Sequence, residues 1–395
     1  MMKKLKSLFL LLKLFFGLVL IFILAVLISP TDFQGDLVFT KTENLLNILR
    51  QVSENGILAG GMTLVILTGG IDLSVGSILA LSSTLCAMLM MERTSQLSSH
   101  TAVGSSSIMI IILGFFIFSR LAKKRIPGIT GKAVSSIIPT GLAVLTAVLL
   151  AAQAKEGFSV TAACLSVLSL GILIGMVNGV IVARGKIQSF IVTLAMMSAT
   201  LGFARLISKG AARDIAFGPD GAPSGFEILR ERILGIPTPA IFFLLTIVIL
   251  HLLLTRTCMG RYIYAIGDNE EASRLSGVPV DKIKISVFAV CSGLAALAGI
   301  IHCAQNMQGN PNDGIGLELD AIAAVVIGGV SLAGGRGKIL GTLAGVLIIG
   351  ILNNIMGLKN VDSNFQLLFK GLIIVAAVLM QQHGSKIKKL IAYFK

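Results

Sequence analysis

Tryptophan is absent from this 395-residue chain, and only 13% of its residues are charged, against 55% apolar. So little polar surface could not cover a water-soluble body of this size, which excludes an ordinary soluble globule. Acids are scarcer than bases, 19 Asp and Glu against 33 Lys and Arg, for a net charge of +14. The basic residues form no single patch and no aromatic residues interleave with them, so no nucleic-acid partner is expected. The five cysteines, an odd number, are scattered singly without disulfide or metal-ligand spacing, and read as small packing residues. No metal site is expected. His100, His251, His302 and His383 are isolated, and neither H-E-x-x-H nor G-x-S-x-G occurs. Gly334-Gly-Arg-Gly-Lys338 looks like a phosphate loop only in part. Leu332 stands where the first glycine belongs and Ile339 where Ser or Thr is required. The chain is therefore expected to bind no nucleotide and to catalyse nothing by itself.

Long apolar runs are what the sequence does have. The first, Ser7 to Ser29, follows Lys3, Lys4 and Lys6 and is interrupted only by Lys13. It lacks a small-x-small cleavage pattern, so it reads as an uncleaved first span with Lys13 snorkelling and the amino terminus in the cytoplasm. Further runs fall near 44–67, 71–91, 104–119, 134–153, 158–183, 187–207, 237–255, 285–304, 319–333, 339–357 and 364–381. Threaded alternately, they leave most basic residues inside, including Arg120 to Arg125, Arg184 to Lys186, Arg336 to Lys338 and Lys386 to Lys389. The expectation is one all-α, polytopic, membrane-embedded domain over 1–395, with about 10–12 transmembrane helices and both termini cytoplasmic.

Two runs make doubtful spans. Residues 44–67 carry Arg50 and Glu54, and 319–333 is short for a bilayer. Both lead into a glycine pair, and Gly69-Gly-Ile-Asp-Leu and Gly328-Gly-Val-Ser-Leu form a faint internal repeat. Glycine-interrupted segments in corresponding places point to a translocation pathway, although such glycines also simply let helices approach. Polar residues in or beside spans are the pathway candidates: Asn55, Thr68, Asp72, Ser74, Asn178, Thr193, Asp320, Asn353 and Asn354, with Phe190 as an apolar wall. Asp72 has a second reading, as a cap accepting backbone N–H bonds before the next span. Asp320 carries the same ambiguity, and Glu318 marks the outer surface. Residues 95–155 read as an inserted pair of spans. Ser208 to Gly235 is either a dock for an external protein or a connector.

The longest hydrophilic run with an internal plan is Arg256 to Lys284. Five basic residues place it in the cytoplasm. Asp268, three residues before Glu271, has the spacing of an N-cap, which predicts a short helix over Asn269 to Leu275 ended by Gly277 and Pro279. Glu271-Ala272-Ser273 with the later Gly277 resembles the Glu-Ala-Ala…Gly coupling motif of ABC importer permeases, and Tyr264 to Gly277 is similar to the ribose, galactose and xylose version. Leu67 to Gly76 and Glu318 to Gly335 match the same family.

The resemblance implies an ATPase-coupling loop at 256–284, with Gly267, Asn269, Glu270, Glu271, Ala272, Arg274, Ser276, Gly277 and Pro279 as its residues. It further implies a bacterial inner-membrane permease that moves a monosaccharide, a pentose such as xylose or ribose. The implied partners are an ABC ATPase subunit that uses ATP and Mg, an extracytoplasmic sugar-binding protein, a second permease copy in a homodimer or related heterodimer, and membrane lipid. A nucleoside or autoinducer permease fits the same motifs, which report coupling more than cargo. An ion-coupled secondary transporter would instead use Asp72 or Asp320 as an ion site, and would leave the Glu271 to Gly277 block unexplained. A membrane anchor needs far fewer apolar runs.

Overall fold

The computed structural model describes residues 16–91, 160–216, 222, 225–362, 364–373, 375 and 379. The inserted pair of spans at 95–155, the amino-terminal lysines and the basic run at Lys386 to Lys389 lie outside these residues.

Helices carry the architecture: α1 (Phe16–Leu27), α2 (Thr42–Leu67), α3 (Val75–Met91), α4 (Val160–Gly185), α5 (Ser189–Ser208), α6 (Thr238–Arg256), α7 (Cys258–Asp268), α8 (Glu270–Leu275), α9 (Val280–Asn306), α10 (Leu317–Ile327) and α11 (Ile339–Leu358). A further helix, α12, covers 364–373. Among the described residues, five helices, within α4, α5, α6, α9 and α11, are long and apolar enough to cross a membrane. The protein is all-α and polytopic, as its composition requires. Its sheet is confined to two-residue strands: β1 (Arg213–Asp214), β2 (Arg232–Ile233), β3 (Ile236–Pro237) and β4 (Gln308–Gly309). The pairs β1–β4 and β2–β3 tie the loops at one end of the helix array.

The centre of the array is α9, packed against α2, α3 and α4. Its approach to α4 follows from a four-residue spacing of glycines, Gly171, Gly175 and Gly179. A Cβ at these positions would strike Ser292, Phe288 and Ile285 of α9, mostly on backbone. Lipid tails give apolar helices no hydrophobic reason to associate, so close backbone packing of this kind supplies much of the attraction.

The doubtful run at 44–67 is a complete 26-residue helix, about 39 Å long. Its charged side chains find polar partners on α9. Arg50 donates to Gln305 Oε1 at 3.2 Å, and Glu54 Oε2 lies 2.7 Å from His302 Nδ1. By contrast, α10 has 11 residues, about 16 Å, which is half a bilayer. The loop just before it meets the first turn of α3, where Gly314 and Gly76 pack backbone on backbone.

Both glycine pairs end a helix in the same way. Gly69 and Gly329 take φ of +79° and +82°. The next N–H reaches back five residues, Gly70 to Val65 O at 3.0 Å and Val330 to Val325 O at 3.2 Å. This is a Schellman cap, for which a left-handed residue is required. The geometric match is displaced by one residue from the sequence alignment, since it pairs Gly69 with Gly329 and Gly70 with Val330.

Candidate functional site

The hydrophilic stretch 256–284 is not one water-exposed loop. Residues 258–268 form α7, whose Gly260, Ile263 and Ile266 are buried, and residues from Val280 onward already belong to α9. Apolar residues three apart inside a polar stretch give one buried face, a pattern the strong hydrophilicity of the segment hides. Thr257 caps α7, its side chain accepting from the Gly260 N–H at 3.2 Å.

Then comes α8, six residues long. Its N-cap is Asn269 rather than Asp268: Asn269 Oδ1 accepts from the Ala272 N–H at 2.9 Å. The shift is physical, because α7 absorbs Asp268 as its last residue and leaves Asn269 extended between two helices. Gly277, at φ +82°, ends α8, with the Val278 N–H donating to Ser273 O at 3.0 Å. Pro279 then stands at the N-cap of α9.

Ion pairs hold α8 to the start of α9. Arg274 donates to Asp281 Oδ1 at 3.1 Å and to Glu270 Oε1 at 3.3 Å, while Lys284 Nζ reaches Glu270 Oε2 at 2.6 Å. The bond to Asp281 first, and Glu270 second, raise the Arg274 pKa above its ordinary value. These pairs leave Glu271, Ala272, Ser276 and Gly277 exposed, with Ser273 buried beneath. Leu275, which the motif does not include, is 81% exposed. Gly267 is different from the rest of its group, since it sits at the packed end of α7 against the Leu67 carbonyl.

The second set of polar residues gathers at the first helix break. Asp72 and Ser74 are fully buried. Asp72 Oδ1 accepts from the Ser74 N–H at 2.9 Å and from Ser74 Oγ at 2.6 Å, closing a turn just before α3. Asn178 Nδ2 donates to Ser74 Oγ at 3.1 Å. From α5, Ser189 Oγ accepts the Ile71 N–H at 3.0 Å and Thr193 Oγ1 accepts the Leu73 N–H at 3.1 Å. Thus four pathway candidates, Asp72, Ser74, Asn178 and Thr193, form one buried network that satisfies non-helical backbone inside the helix array. Irregular backbone is tolerated at such depth only when its polar groups are met in this way. Among the described residues, Asp72 Oδ2 and Asn178 Oδ1 have no hydrogen-bond partner. Thr68 is buried beside this network, its hydroxyl donating to Val65 O at 2.8 Å.

Other candidates lie apart. Asn354 exchanges amide bonds with Asn44 at 3.1 and 2.9 Å, joining α11 to α2. Asn353 and Asn55 each keep an amide oxygen without a partner among the described residues. Phe190 is 50% exposed on the flank of α5. Asp320 pairs with Lys370 Nζ of α12 at 2.8 Å. Glu318 accepts the Gly316 N–H, at the start of α10. His302 is not isolated, because it bridges Glu54 and Asp313 at 2.7 and 3.0 Å. Its partners lie on a distant helix and a loop, so no local spacing announces them.

Comparison with known proteins places these features in context. The family described as "Branched-chain amino acid transport system / permease component" matches residues 44–378. The ribose import permease protein RbsC of Escherichia coli (strain K12) is 41% identical over 343 residues, 87% of this chain and 86% of that protein. RbsC of Haemophilus influenzae is 37% identical over 373 residues, 94% and 93% of the two chains. The L-arabinose transport system permease protein AraH of E. coli is 41% identical over 213 residues, 54% and 63% of the two chains. No solved structure matches.

Proposed function

This chain belongs to the permease-component family that covers residues 44–378, and on that premise we propose that it is the membrane-spanning subunit of an ATP-driven monosaccharide importer. The cargo assignment rests on near full-length relatives named for ribose and a shorter match named for L-arabinose, which makes a pentose the favoured sugar. It is a multi-pass inner-membrane protein and contributes no catalysis. ATP and Mg are used by a separate ATPase subunit, and a sugar-binding protein delivers cargo on the opposite face. Two permease copies are needed, one α8 for each ATPase domain.

The observation that carries this reading is α8 itself. It is capped at both ends and braced to α9 by Glu270, Arg274 and Lys284, and it presents Glu271, Ala272 and Leu275 outward. A rigid helix with an exposed apolar tip transmits a push from a docked partner. The glycine-rich ends at 68–70 and 334–337 lie at the same end as α7, and the charge pattern assigns α7 and Arg336 to Lys338 to the cytoplasm, with both termini on that side. The buried network around Asp72 holds the first break in shape in this conformation. Opening the pathway to the sugar would require that region to rearrange.

Co-purification with the ATPase subunit tests the assignment. Glu271→Ala, Leu275→Asp and Gly277→Pro should each release the ATPase from a permease that still elutes as a folded species. ATP hydrolysis by the purified permease alone would overturn it, as would full retention of the ATPase by all three variants.

A further inference from the structure

The last turn of α7 touches both helix breaks, and it does so almost entirely through backbone. Leu67 O, the end of α2, accepts the Gly335 N–H at 3.0 Å. A Cβ at Gly267 would run into that same Leu67 carbonyl and into Gly335 N. At Gly334, whose φ is +86°, a Cβ would stand 2.9 Å from both Gly267 O and Gly69 N. One at Gly335, φ +68°, would stand 2.8 Å from Asp268 N. Tyr264 adds one side-chain bond, its hydroxyl donating to Gly337 O at 2.9 Å.

Side chains between two elements can change rotamer and absorb a small displacement. Backbone at van der Waals contact cannot, because packed interiors transmit strain instead of damping it. Only Asn269 separates α7 from α8, and its cap makes that link stiff. We propose that Gly267, Gly334 and Gly335 form a rigid junction that passes any displacement of α8 at once to the end of α2 and to the loop between α10 and α11, so that both broken elements switch as one body. The proposal rests on the reading above, that a partner moves α8. It adds which residues carry the movement, and to where. The three glycines are positioning residues and touch no cargo.

The test is a pair of distances in the assembled permease–ATPase complex, with spin labels on a background lacking the native cysteines. One pair joins Ser276 at the end of α8 to Ala333 beside the junction, both exposed. The other joins Ser276 to exposed Lys209 at the end of α5, a helix not braced to α8. Trapping the ATP-bound state should leave the first distance constant within about 2 Å while the second changes. Gly267→Ala should free the first distance to change and lower uptake about tenfold or more, while ATP hydrolysis continues. The control is Gly357→Ala, where a Cβ meets nothing within 4 Å, and it should behave as wild type. A first distance that shifts with nucleotide in the wild type overturns the junction without recourse to any variant. So does wild-type uptake by Gly267→Ala. If instead neither distance responds to nucleotide in the wild type and no ATP-driven uptake occurs, the coupling reading itself fails and takes the junction with it.

Discussion

The two glycine breaks share a cap geometry and differ in what surrounds it. After Leu67 the chain runs through a buried segment whose backbone is met by side chains, Asp72, Ser189 and Thr193. After Ile327 it runs through a more open loop. There backbone meets backbone, with the Ser331 N–H donating to Arg336 O at 2.8 Å and glycines lying against α7. The first break is therefore a fixed point defined by polar chemistry within the helix array. The second is a contact surface defined by the absence of side chains. One holds its shape through hydrogen bonds, while the other carries movement from α7 and α8.

Exchanging those roles by mutation should give effects in a definite order. Asp72→Ala leaves the buried Ser74 N–H and hydroxyl unmet. It should cost about 3 kcal/mol in denaturant unfolding of the detergent-solubilised protein, the upper end of the penalty for leaving buried donors unsatisfied. Asp72→Asn keeps an acceptor oxygen and should recover much of this. Ser331, which aligns with Asp72 in sequence, accepts the Ala333 N–H at 3.3 Å from a half-buried position. Ser331→Ala should fall within about 0.5 kcal/mol of wild type. Equal effects at Asp72 and Ser331 would remove the contrast between the breaks. Next in size is Gly334→Ala, which forces φ +86° on an alanine and should cost about 2 kcal/mol in the same assay.

Smaller changes sharpen the picture at the surface. Asn269→Ala removes the α8 cap, worth about 1 kcal/mol. Faster hydrogen exchange at Ala272 should accompany it, while exchange in α9 stays unchanged. Smallest is Lys284→Ala, which loses an ion pair to the half-exposed Glu270 and should cost no more than about 0.5 kcal/mol.

How much of this is visible without coordinates differs by element. The apolar runs and the run of basic loops define the helix order, because hydrocarbon admits little else. The short helix of α8 is visible too, since Gly277 and Pro279 punctuate it, although the cap moves from Asp268 to Asn269 once α7 takes Asp268. What hides α7 is its own hydrophilicity: Ile263 and Ile266 sit among Arg261, Tyr262, Tyr264 and Asp268, and only their spacing marks a buried face. The polar residues around Asp72 can be picked out singly as costly in a membrane. Their joining into one network depends on α4 and α5 arriving beside the break, which no local pattern encodes. The Glu54–His302–Asp313 bridge is concealed for the same reason, as is the meeting of Gly267 with Gly334 and Gly335.

The central claim is that ATP drives this chain through α8, and one measurement addresses it directly. Vesicles containing the permease and its ATPase subunit, supplied with the sugar-binding protein and labelled ribose, are assayed with ATP present and with ion gradients collapsed. Uptake should depend on ATP, persist without a gradient, and disappear in Leu275→Asp. Uptake that survives ATP depletion and collapses with the ion gradient would contradict the account.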